Sequence, residues 1–382
     1  MSLAPRHLAA LVLLLRLSAP AAEIVAVFPA PQYTALKPGL DFAQIHVESV
    51  PWRIHLVRLD RRQPGLQLRS TLGGGEVIGL ATVPAQARAC AVPGWTPLAA
   101  VNGGYFREAR GPERGTLAGL LILDGELLSR PANTSFWVDA TNGLHIAVVH
   151  AKMEITWPDG TTSPLGLNEL PATNRPALIT PRYGSQIQVA DGLAVELRAP
   201  GGKPFPALRA SSNYTAVAGA HHAAGRIAIP RAAALLLAHP AQHARLEALA
   251  DGAILRFTTA CSHDLSSART ALGAGPTLLT GGVANPSLLR PGADARRNPR
   301  TAVGFNDRYC FLVVVDGRGL RSAGMNYAEL TRLLTQLGCT EAINLDGGTS
   351  TTLWVNGDVV NSPSGWLTPA VADALVILHR DE

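Results

Sequence analysis

Charged and aromatic residues are both scarce in this sequence, and the shortage limits what the chain can be. Of its 382 residues, 16% are charged, 5% are aromatic and 47% are hydrophobic. Such a composition rules against disorder and allows a large buried core. Nearly all of the basic residues are arginines, and no Lys/Arg run is long enough for a nucleic-acid-binding arm. We therefore expect no nucleic-acid partner. Arginine does suit bidentate recognition of phosphate or carboxylate.

Several enzyme signatures are also missing. The four cysteines show no Cys-x-x-Cys spacing, and no Gly-x-Ser-x-Gly segment of an α/β-hydrolase occurs. The glycines at 73–75 lack the Lys-Ser/Thr of a phosphate-binding P-loop. His239 and His243 have i, i+4 spacing without the Glu of a zinc protease, which favours a helix surface. We accordingly predict no metal site and no cofactor.

The N-terminus is typical of an exported protein. Residues 8–15 are almost entirely apolar, and small residues follow at 18–22. This pattern predicts a signal peptide over residues 1–22 and a secreted or periplasmic mature chain. A membrane anchor is the alternative, but the run is well short of the roughly 20 apolar residues that span a bilayer. No later segment reaches that length, so we expect no membrane span in the mature chain.

An even number of cysteines in an exported chain suggests two disulfides. Cys310 and Cys339 flank one strand-helix unit and are the expected local pair, which leaves Cys90 with Cys261. Free buried thiols are the alternative. The oligomeric state is left open.

Apolar periodicity and turn residues predict many short elements in the chain. The expected elements are strands at 54–60, 66–70 and 98–101, a helix that starts at Thr82, short strands from 117 to 200, and a helical stretch from Ile229 to Ala250. No repeat or low-complexity linker divides the chain. We therefore predict a single elaborated α+β domain with mixed sheets over residues 23–382, in which a C-terminal strand-helix-strand unit carries the site.

The C-terminal third contains that unit. Cys310–Val315 is a continuous apolar run that ends in Asp316, and a helix capped at Asn326 leads to a short strand at Ala342–Leu345. A crossover of this length normally joins parallel strands. If the strands are adjacent or one apart, Asp316 and Asp346 lie at one sheet edge, roughly 5–10 Å from each other. Alternatively, either Asp simply terminates its strand by accepting turn hydrogen bonds.

The most informative segment is residues 343–353. Asn344 and Asp346 lie where a strand ends, and Gly347 and Gly348 let the backbone turn sharply and let a ligand approach closely. A plain Asp-Gly turn is the alternative. Residues 102–106 and 315–318 carry the same polar and glycine punctuation, which favours a functional site.

Five motifs occur together in order. They are Asn102-Gly103-Gly104-Tyr105-Phe106, Gly275-Pro276, Pro299-Arg300-Thr301-Ala302-Val303-Gly304, Val315-Asp316-Gly317-Arg318 and Asn344-Leu345-Asp346-Gly347-Gly348. In this combination the chain resembles the phosphodiester glycosidase family over residues 33 to 380, with a core from about 95 to 380. Thr349 departs from the family pattern, which often has a third glycine there.

The resemblance implies an exported hydrolase that cleaves a glycosidic bond in a sugar-1-phosphodiester or a phosphate-linked cell-surface glycan. Asp346 and Asp316 would be the catalytic carboxylates, and Arg300 would hold the phosphate. The other expected substrate-binding residues are Asn102, Tyr105, Thr301, Arg318, Asn344, Gly347, Gly348 and Ser350. One alternative is a non-catalytic protein that binds cell-surface glycan or phosphate. Another is a hydrolase that uses the same carboxylates on an exopolysaccharide or wall polymer.

Overall fold

Strands dominate the structure, a computed structural model that describes residues 28–111, 113–190, 192–290, 296–365 and 367–381. The predicted signal peptide lies outside these residues. Strands make up 44% of the described residues and helices 11%. The three α-helices of the described residues are α1 (Val83–Ala89), α2 (His243–Glu247) and α3 (Tyr327–Gln336). The fold is thus mostly sheet and contains several sheets, and the α+β prediction is not confirmed.

The strands, in chain order, are β1 (Thr34–Lys37), β2 (Leu40–Val47), β3 (Trp52–Asp60), β4 (Leu66–Ser70), β5 (Ala81–Thr82), β6 (Trp95–Asn102), β7 (Leu121–Leu123), β8 (Glu126–Ser129), β9 (Thr134–Val138), β10 (Leu144–Val148), β11 (Glu154–Thr156), β12 (Thr162–Pro164), β13 (Gly166–Leu167), β14 (Ala177–Ile179), β15 (Gln186–Val189), β16 (Leu193–Arg198), β17 (Asn213–His222), β18 (Gly225–Ala228), β19 (Ala234–Ala238), β20 (Ile254–Thr258), β21 (Thr270–Ala274), β22 (Thr277–Thr280), β23 (Val283–Ala284), β24 (Arg300–Phe305), β25 (Tyr309–Val315), β26 (Glu341–Asn344), β27 (Leu353–Val355), β28 (Asp358–Val359), β29 (Ala370–Val371) and β30 (Ala374–Arg380).

Three sheets enclose the main core. The first has the order β1-β2-β3-β25-β24-β26-β22-β23, the second β28-β27-β6-β30-β4, and the third β10-β9-β21-β7-β8. Alternate residues of β25 (Cys310, Leu312 and Val314) point into this core together with side chains from the other two sheets. The opposite face of the first sheet packs against α3 through a separate apolar cluster.

A second unit is inserted between β10 and β21. Its main sheet has the order β12-β11-β20-β17-β16-β19-β14-β13, and the β15-β18 ribbon accompanies it. This unit has apolar clusters of its own, one of which also takes residues from the third sheet. The five motifs therefore lie outside the inserted strands, on the three sheets of the main core and the turns between them.

The strand-helix-strand prediction is confirmed. Strand β24 lies between β25 and β26 and is antiparallel to both, so β25 and β26 are parallel and one strand apart. Helix α3 connects them and begins with a complete capping box, in which the Asn326 side chain accepts from the Glu329 N–H and the Glu329 carboxylate accepts from the Asn326 N–H. Asp316 and Asp346 therefore follow strands that end at the same sheet edge.

The helical prediction for 229–250 is largely wrong. Residues 234–238 form β19, which is buried along its whole length between β14 and β16, and only the short α2 follows it. Alanine and leucine favour a helix in isolation, but pairing on both edges and burial on both faces outweigh that preference.

Both predicted disulfides are wrong, because all four cysteines are free thiols. Cys310 points into the main core, whereas Cys339 lies in the cluster on the opposite face of the first sheet. Successive strand residues point to opposite faces, so the sheet itself separates the two sulfurs. Cys90 and Cys261 likewise belong to different apolar clusters.

No helix among the described residues is long and apolar enough to cross a membrane.

Candidate active site

The candidate site lies where the first and second sheets meet. Strand β6 ends at Asn102, whose Nδ2 donates to the Asp346 carbonyl at 2.6 Å. The Asn102 Oδ1 accepts from Thr301 Oγ1 at 2.7 Å and from the Thr352 N–H at 3.1 Å. Asn102 and Thr301 are both completely buried. Their side chains thus tie β24 to the segment that runs from β26 to β27.

Asp346 lies near the start of that segment. Its carboxyl group accepts hydrogen bonds and is largely buried. Its Oδ1 accepts from the Gly347 N–H at 2.9 Å, and the Ser350 hydroxyl bonds to the same side chain. Burial raises the pKa of Asp346 to about 6; the bonds from Ser350 and Gly347 oppose this rise, and the nearby Glu108 carboxylate adds to it. A carboxyl with such a pKa can act in proton transfer or charge stabilisation near neutral pH.

The turn after Asp346 is covered by an arginine. Gly348 has φ = +61°, and a Cβ there would lie 3.0 Å from the Arg318 guanidinium. Arg318 itself has φ = +61°, is exposed, and donates to Asn298 Oδ1 at 3.1 Å. The left-handed conformation of Gly348 therefore favours glycine, and the flexible Arg318 side chain would have to shift slightly to admit a Cβ. Thr349 is not among the residues with positive φ, so the departure from three glycines leaves this turn intact.

Arg300 is 5% exposed and is held inside the sheet edge. Its Nε donates to the Met325 carbonyl at 2.8 Å, its Nη2 donates to the Arg296 carbonyl at 3.4 Å, and its guanidinium lies 4.1 Å above the Tyr327 ring. These contacts join the start of β24 to the N-terminus of α3. Of the two predicted arginines, Arg318 is the one that faces solvent.

Tyr105 and Asn344 lie on the side of the site that faces β22. The Tyr105 hydroxyl donates to the Gly275 carbonyl at 2.5 Å, and Asn344 Nδ2 donates to the same carbonyl at 3.0 Å. Burial, together with Tyr327 and Asp346, raises the pKa of Tyr105, so this phenol stays protonated as a donor. Among the described residues, the buried Asn344 Oδ1 has no hydrogen-bond partner.

Asp316 occupies a different position from Asp346. It is 3% exposed, and its carboxylate accepts from Asn361 Nδ2 at 3.0 Å and from the Ser362 N–H at 2.9 Å. Its other oxygen lies 3.1 Å from His55 Nε2. Asn361 in turn accepts from the Leu353 N–H at 2.7 Å. Asp316 thus contacts Asn361, which in turn supports the end of the 346–352 segment.

Three residues that lie at the site were not predicted from the sequence. Asp373, at the start of β30, is buried and accepts from the Gly104 N–H at 2.9 Å. Tyr327 connects Arg300 to Tyr105, and the exposed Glu108 acts electrostatically on Asp346. The capping signal at Asn326 was a clue to Tyr327, because it placed a helix N-terminus at this edge. No glycine or turn residue marks Asp373.

The chemistry of the site is that of a carboxylate beside hydrogen-bond donors and a guanidinium. Within the described part of the chain, no cluster of three or more His, Cys, Asp or Glu residues has the arrangement of a metal site. A groove of about 690 Å³ lined by Lys37, Gln63, Thr96 and Arg380 lies at the far end of β30. It contains none of the predicted site residues.

Known proteins are similar to this chain in sequence and in structure. Residues 210–378 match the model of the phosphodiester glycosidase family, which confirms the resemblance over that segment. The uncharacterized SPbeta prophage-derived protein YomE of Bacillus subtilis (strain 168) is 37% identical over 87 residues, which is 22% of this chain and 14% of that protein. The segment that matches the family model, residues 210–378, holds four of the five motifs and every predicted site residue except Asn102 and Tyr105.

Solved structures show the same fold. A hypothetical protein from Synechocystis is similar with a TM-score of 0.74 and 20% identity, over 92% of this chain and 64% of that one. A protein of Burkholderia pseudomallei K96243, named as a presumed exported protein, gives a TM-score of 0.66 and 23% identity, over 85% and 74%. The chain thus spans less than two thirds of the Synechocystis structure and a small part of the prophage protein.

Proposed function

We propose that this chain is an exported hydrolase that cleaves the glycosidic bond of a sugar-1-phosphodiester or a phosphate-linked cell-surface glycan. The observation that carries the proposal is the position of Asp346, a carboxyl with a raised pKa that lies two residues before the Gly348 turn covered by the exposed Arg318, in the segment that matches the phosphodiester glycosidase model. Asn102, Arg300 and Asp346 are far apart in sequence and meet at one sheet edge, which is what a built site requires.

In this reaction the bond between the anomeric carbon and the phosphate oxygen breaks. Water supplies a hydroxyl group to the carbon, and its remaining proton goes to a base or to the departing phosphomonoester. Asp346 in its charged form stabilises the positive charge that develops on the sugar, attacks the anomeric carbon, or activates the water. The phosphate is a good leaving group, so neutralising its charge matters more than protonating it.

Arg318 is the residue we assign to the phosphate, because its guanidinium is exposed and lies over the Gly348 turn. Arg300 supports this function from inside by fixing Tyr327, with Thr301 beside it. We assign Tyr105 and Asn344 to the sugar side of the site, and the glycines at 347 and 348 let the backbone lie against Pro299 and Arg318. Asp316 acts through Asn361, which holds the segment that carries Ser350.

The test is turnover of a panel of UDP-sugars, sugar-1-phosphodiesters and wall polymers by the purified protein, with phosphomonoester or reducing sugar as the readout. Asp346→Asn keeps the shape of the side chain and removes its charge, so kcat should fall by several orders of magnitude while substrate still binds. Asp251→Asn is the matched control, because Asp251 is exposed on the inserted unit.

Two outcomes would overturn the proposal. If Asp346→Asn turns over such substrates at nearly the wild-type rate, Asp346 is a turn residue. If the wild-type protein binds the panel in calorimetry but releases no product, the chain is a glycan- or phosphate-binding protein.

A further inference from the structure

Asp373 is a buried acid that packs directly on the Asn102-Gly103-Gly104 turn. Its Oδ1 accepts from the Gly104 N–H at 2.9 Å, and its carbonyl accepts from the Gly103 N–H at 3.0 Å. A Cβ on Gly103 would lie 2.7 to 2.8 Å from the atoms of the Asp373 carboxyl group. This turn can therefore form only because residue 103 is a glycine with the carboxyl group against its Cα.

The backbone of Asp346 also forms hydrogen bonds with this turn. Its N–H donates to the Gly103 carbonyl at 3.0 Å, while its own carbonyl accepts from Asn102. Gly103 is thus bonded through its N–H to Asp373 and through its carbonyl to Asp346. The two carboxyl groups are close enough for the charge on Asp346 to act on Asp373.

We propose that Asp373 is a positioning residue of the site, and that the working state holds one proton on the pair, with the proton on Asp373 and the charge on Asp346. This inference rests on the proposed function. Two charges at this buried turn would repel one another, and desolvation disfavours both. Asp346 has donors from Gly347 and Ser350, whereas Asp373 is more deeply buried and has the Gly104 N–H. The single charge therefore prefers Asp346.

The electrostatic surroundings agree with this division. Burial raises the pKa of Asp373 to about 7; the hydrogen bond from the Gly104 N–H opposes this rise, and the charge on Asp346 adds to it. The titratable groups that face the pair are Glu108 and Tyr105 from the loop after β6, with Tyr327 of α3 behind Tyr105. Arg318 faces the adjacent Gly348. Such a coupled pair titrates in two steps that belong to the pair as a whole.

The first test is the pH profile of turnover. In the wild-type protein, turnover should rise as the first proton leaves the pair, near pH 6, and fall as the second proton leaves it, near pH 7. Asp373→Asn mimics the neutral acid and cannot ionise. Whatever its absolute rate, the ratio of its kcat at pH 8.5 to its kcat at pH 6 should exceed the wild-type ratio by about tenfold or more. Asp251→Asn should keep the wild-type ratio. An unchanged alkaline limb in Asp373→Asn would overturn the inference.

The second test needs no turnover. In the full protein labelled with ¹³C-aspartate, the carboxyl carbons are followed by NMR from pH 4 to pH 9, and the two signals are assigned by their loss in Asp346→Asn and in Asp373→Asn. One proton should stay on the pair at pH 6.5. If both carboxyls titrate near pH 4, the pair is doubly charged and the inference is wrong. If the pair holds its proton but no substrate turns over, the proposed function fails and the shared proton stands.

Discussion

Among single residues, Arg318 differs from its neighbours in backbone conformation. It adopts a left-handed conformation that costs an ordinary residue about 1 kcal/mol, and it places its guanidinium over Gly348. Strain of this kind is kept where the surrounding structure imposes it, often at functional sites. Arg321, three residues later, is also exposed but is not among the residues with positive φ.

We expect Arg318→Ala to raise KM and to lower kcat, each by roughly tenfold or more, because the guanidinium holds the phosphate before and during bond cleavage. Arg321→Ala removes the same charge from the same loop and should change neither constant by more than about twofold. Steady-state kinetics on one sugar-1-phosphodiester decides the matter. Equal effects of the two substitutions would show that only the general positive potential of the loop matters.

Asp316 offers a second comparison at this scale. Asp316→Asn weakens bonds to Asn361, Ser362 and His55 that are charge-assisted in the wild type. We expect a loss of about 1–3 kcal/mol in the free energy of unfolding, measured by urea denaturation. The fall in kcat should be far smaller than that of Asp346→Asn. A loss of kcat as large as that of Asp346→Asn at unchanged stability would instead identify Asp316 as the catalytic partner.

Residue patterns identified part of the site in advance. Asn102, Asn344 and Asp346 were found because each lies at the end of an apolar strand and near glycines. Asp373 lies between two alanines, so nothing in the local pattern separates it from an ordinary polar residue. Its importance comes from contact with Gly104, which is 269 positions away in the chain. Local patterns cannot reveal a role that depends on such a contact.

Among the elements, α3 links the frame of the fold to the site. Its first residue, Tyr327, lies under the Arg300 guanidinium and reaches Tyr105. Its N-terminus is fixed by the Asn326–Glu329 capping box, and Arg297 forms an ion pair with Glu329. The cap therefore sets the position of a side chain that supports the site.

Asn326→Ala should cost about 1 kcal/mol of stability, as the loss of an N-cap typically does. It should also reduce kcat severalfold, because Tyr327 and Arg300 lose their fixed positions. Thr82 caps α1 and accepts from the Ala85 N–H. Thr82→Ala is thus a matched control that should lose comparable stability and keep kcat. Thermal unfolding and steady-state kinetics of both variants test this prediction. An unchanged kcat in Asn326→Ala would show that the position of α3 does not affect the site.

Elements were predicted well where pattern and packing agree, as in the capped α3 and the apolar β25. The prediction failed for β19, since its Ala and Leu residues are compatible with either a helix or a strand and only the partners β14 and β16 decide. The inserted unit, with its separate cores, has no composition boundary in the sequence that would mark it.

For the whole molecule, the free cysteines change how stability is maintained. Burial raises the pKa of Cys310 to about 12 and that of Cys261 to about 11, and it raises the pKa values of Cys90 and Cys339 as well. Such thiols are poor nucleophiles in the folded state. The fold is therefore held by its apolar cores, without covalent cross-links.

We expect four thiols to react with iodoacetamide in unfolded, unreduced protein, and far fewer to react in native protein during the same time. The melting temperature should be the same with and without dithiothreitol. Intact mass after alkylation provides the count. Two thiols or none in the unfolded sample would restore the disulfide prediction, and a lower melting temperature in reductant would agree with it.

The meeting of two sheets at Asn102 also has a kinetic consequence. The hydrogen bonds of its side chain reach residues that lie 199, 244 and 250 positions away in the chain, so each bond forms only after distant segments have come together. Long-range pairings of this kind close late and slowly. Competence should therefore return with the slowest refolding phase, after most of the strand signal has recovered. In the exported hydrolase that we propose, such late assembly would keep the site inactive until the chain has crossed the membrane and folded.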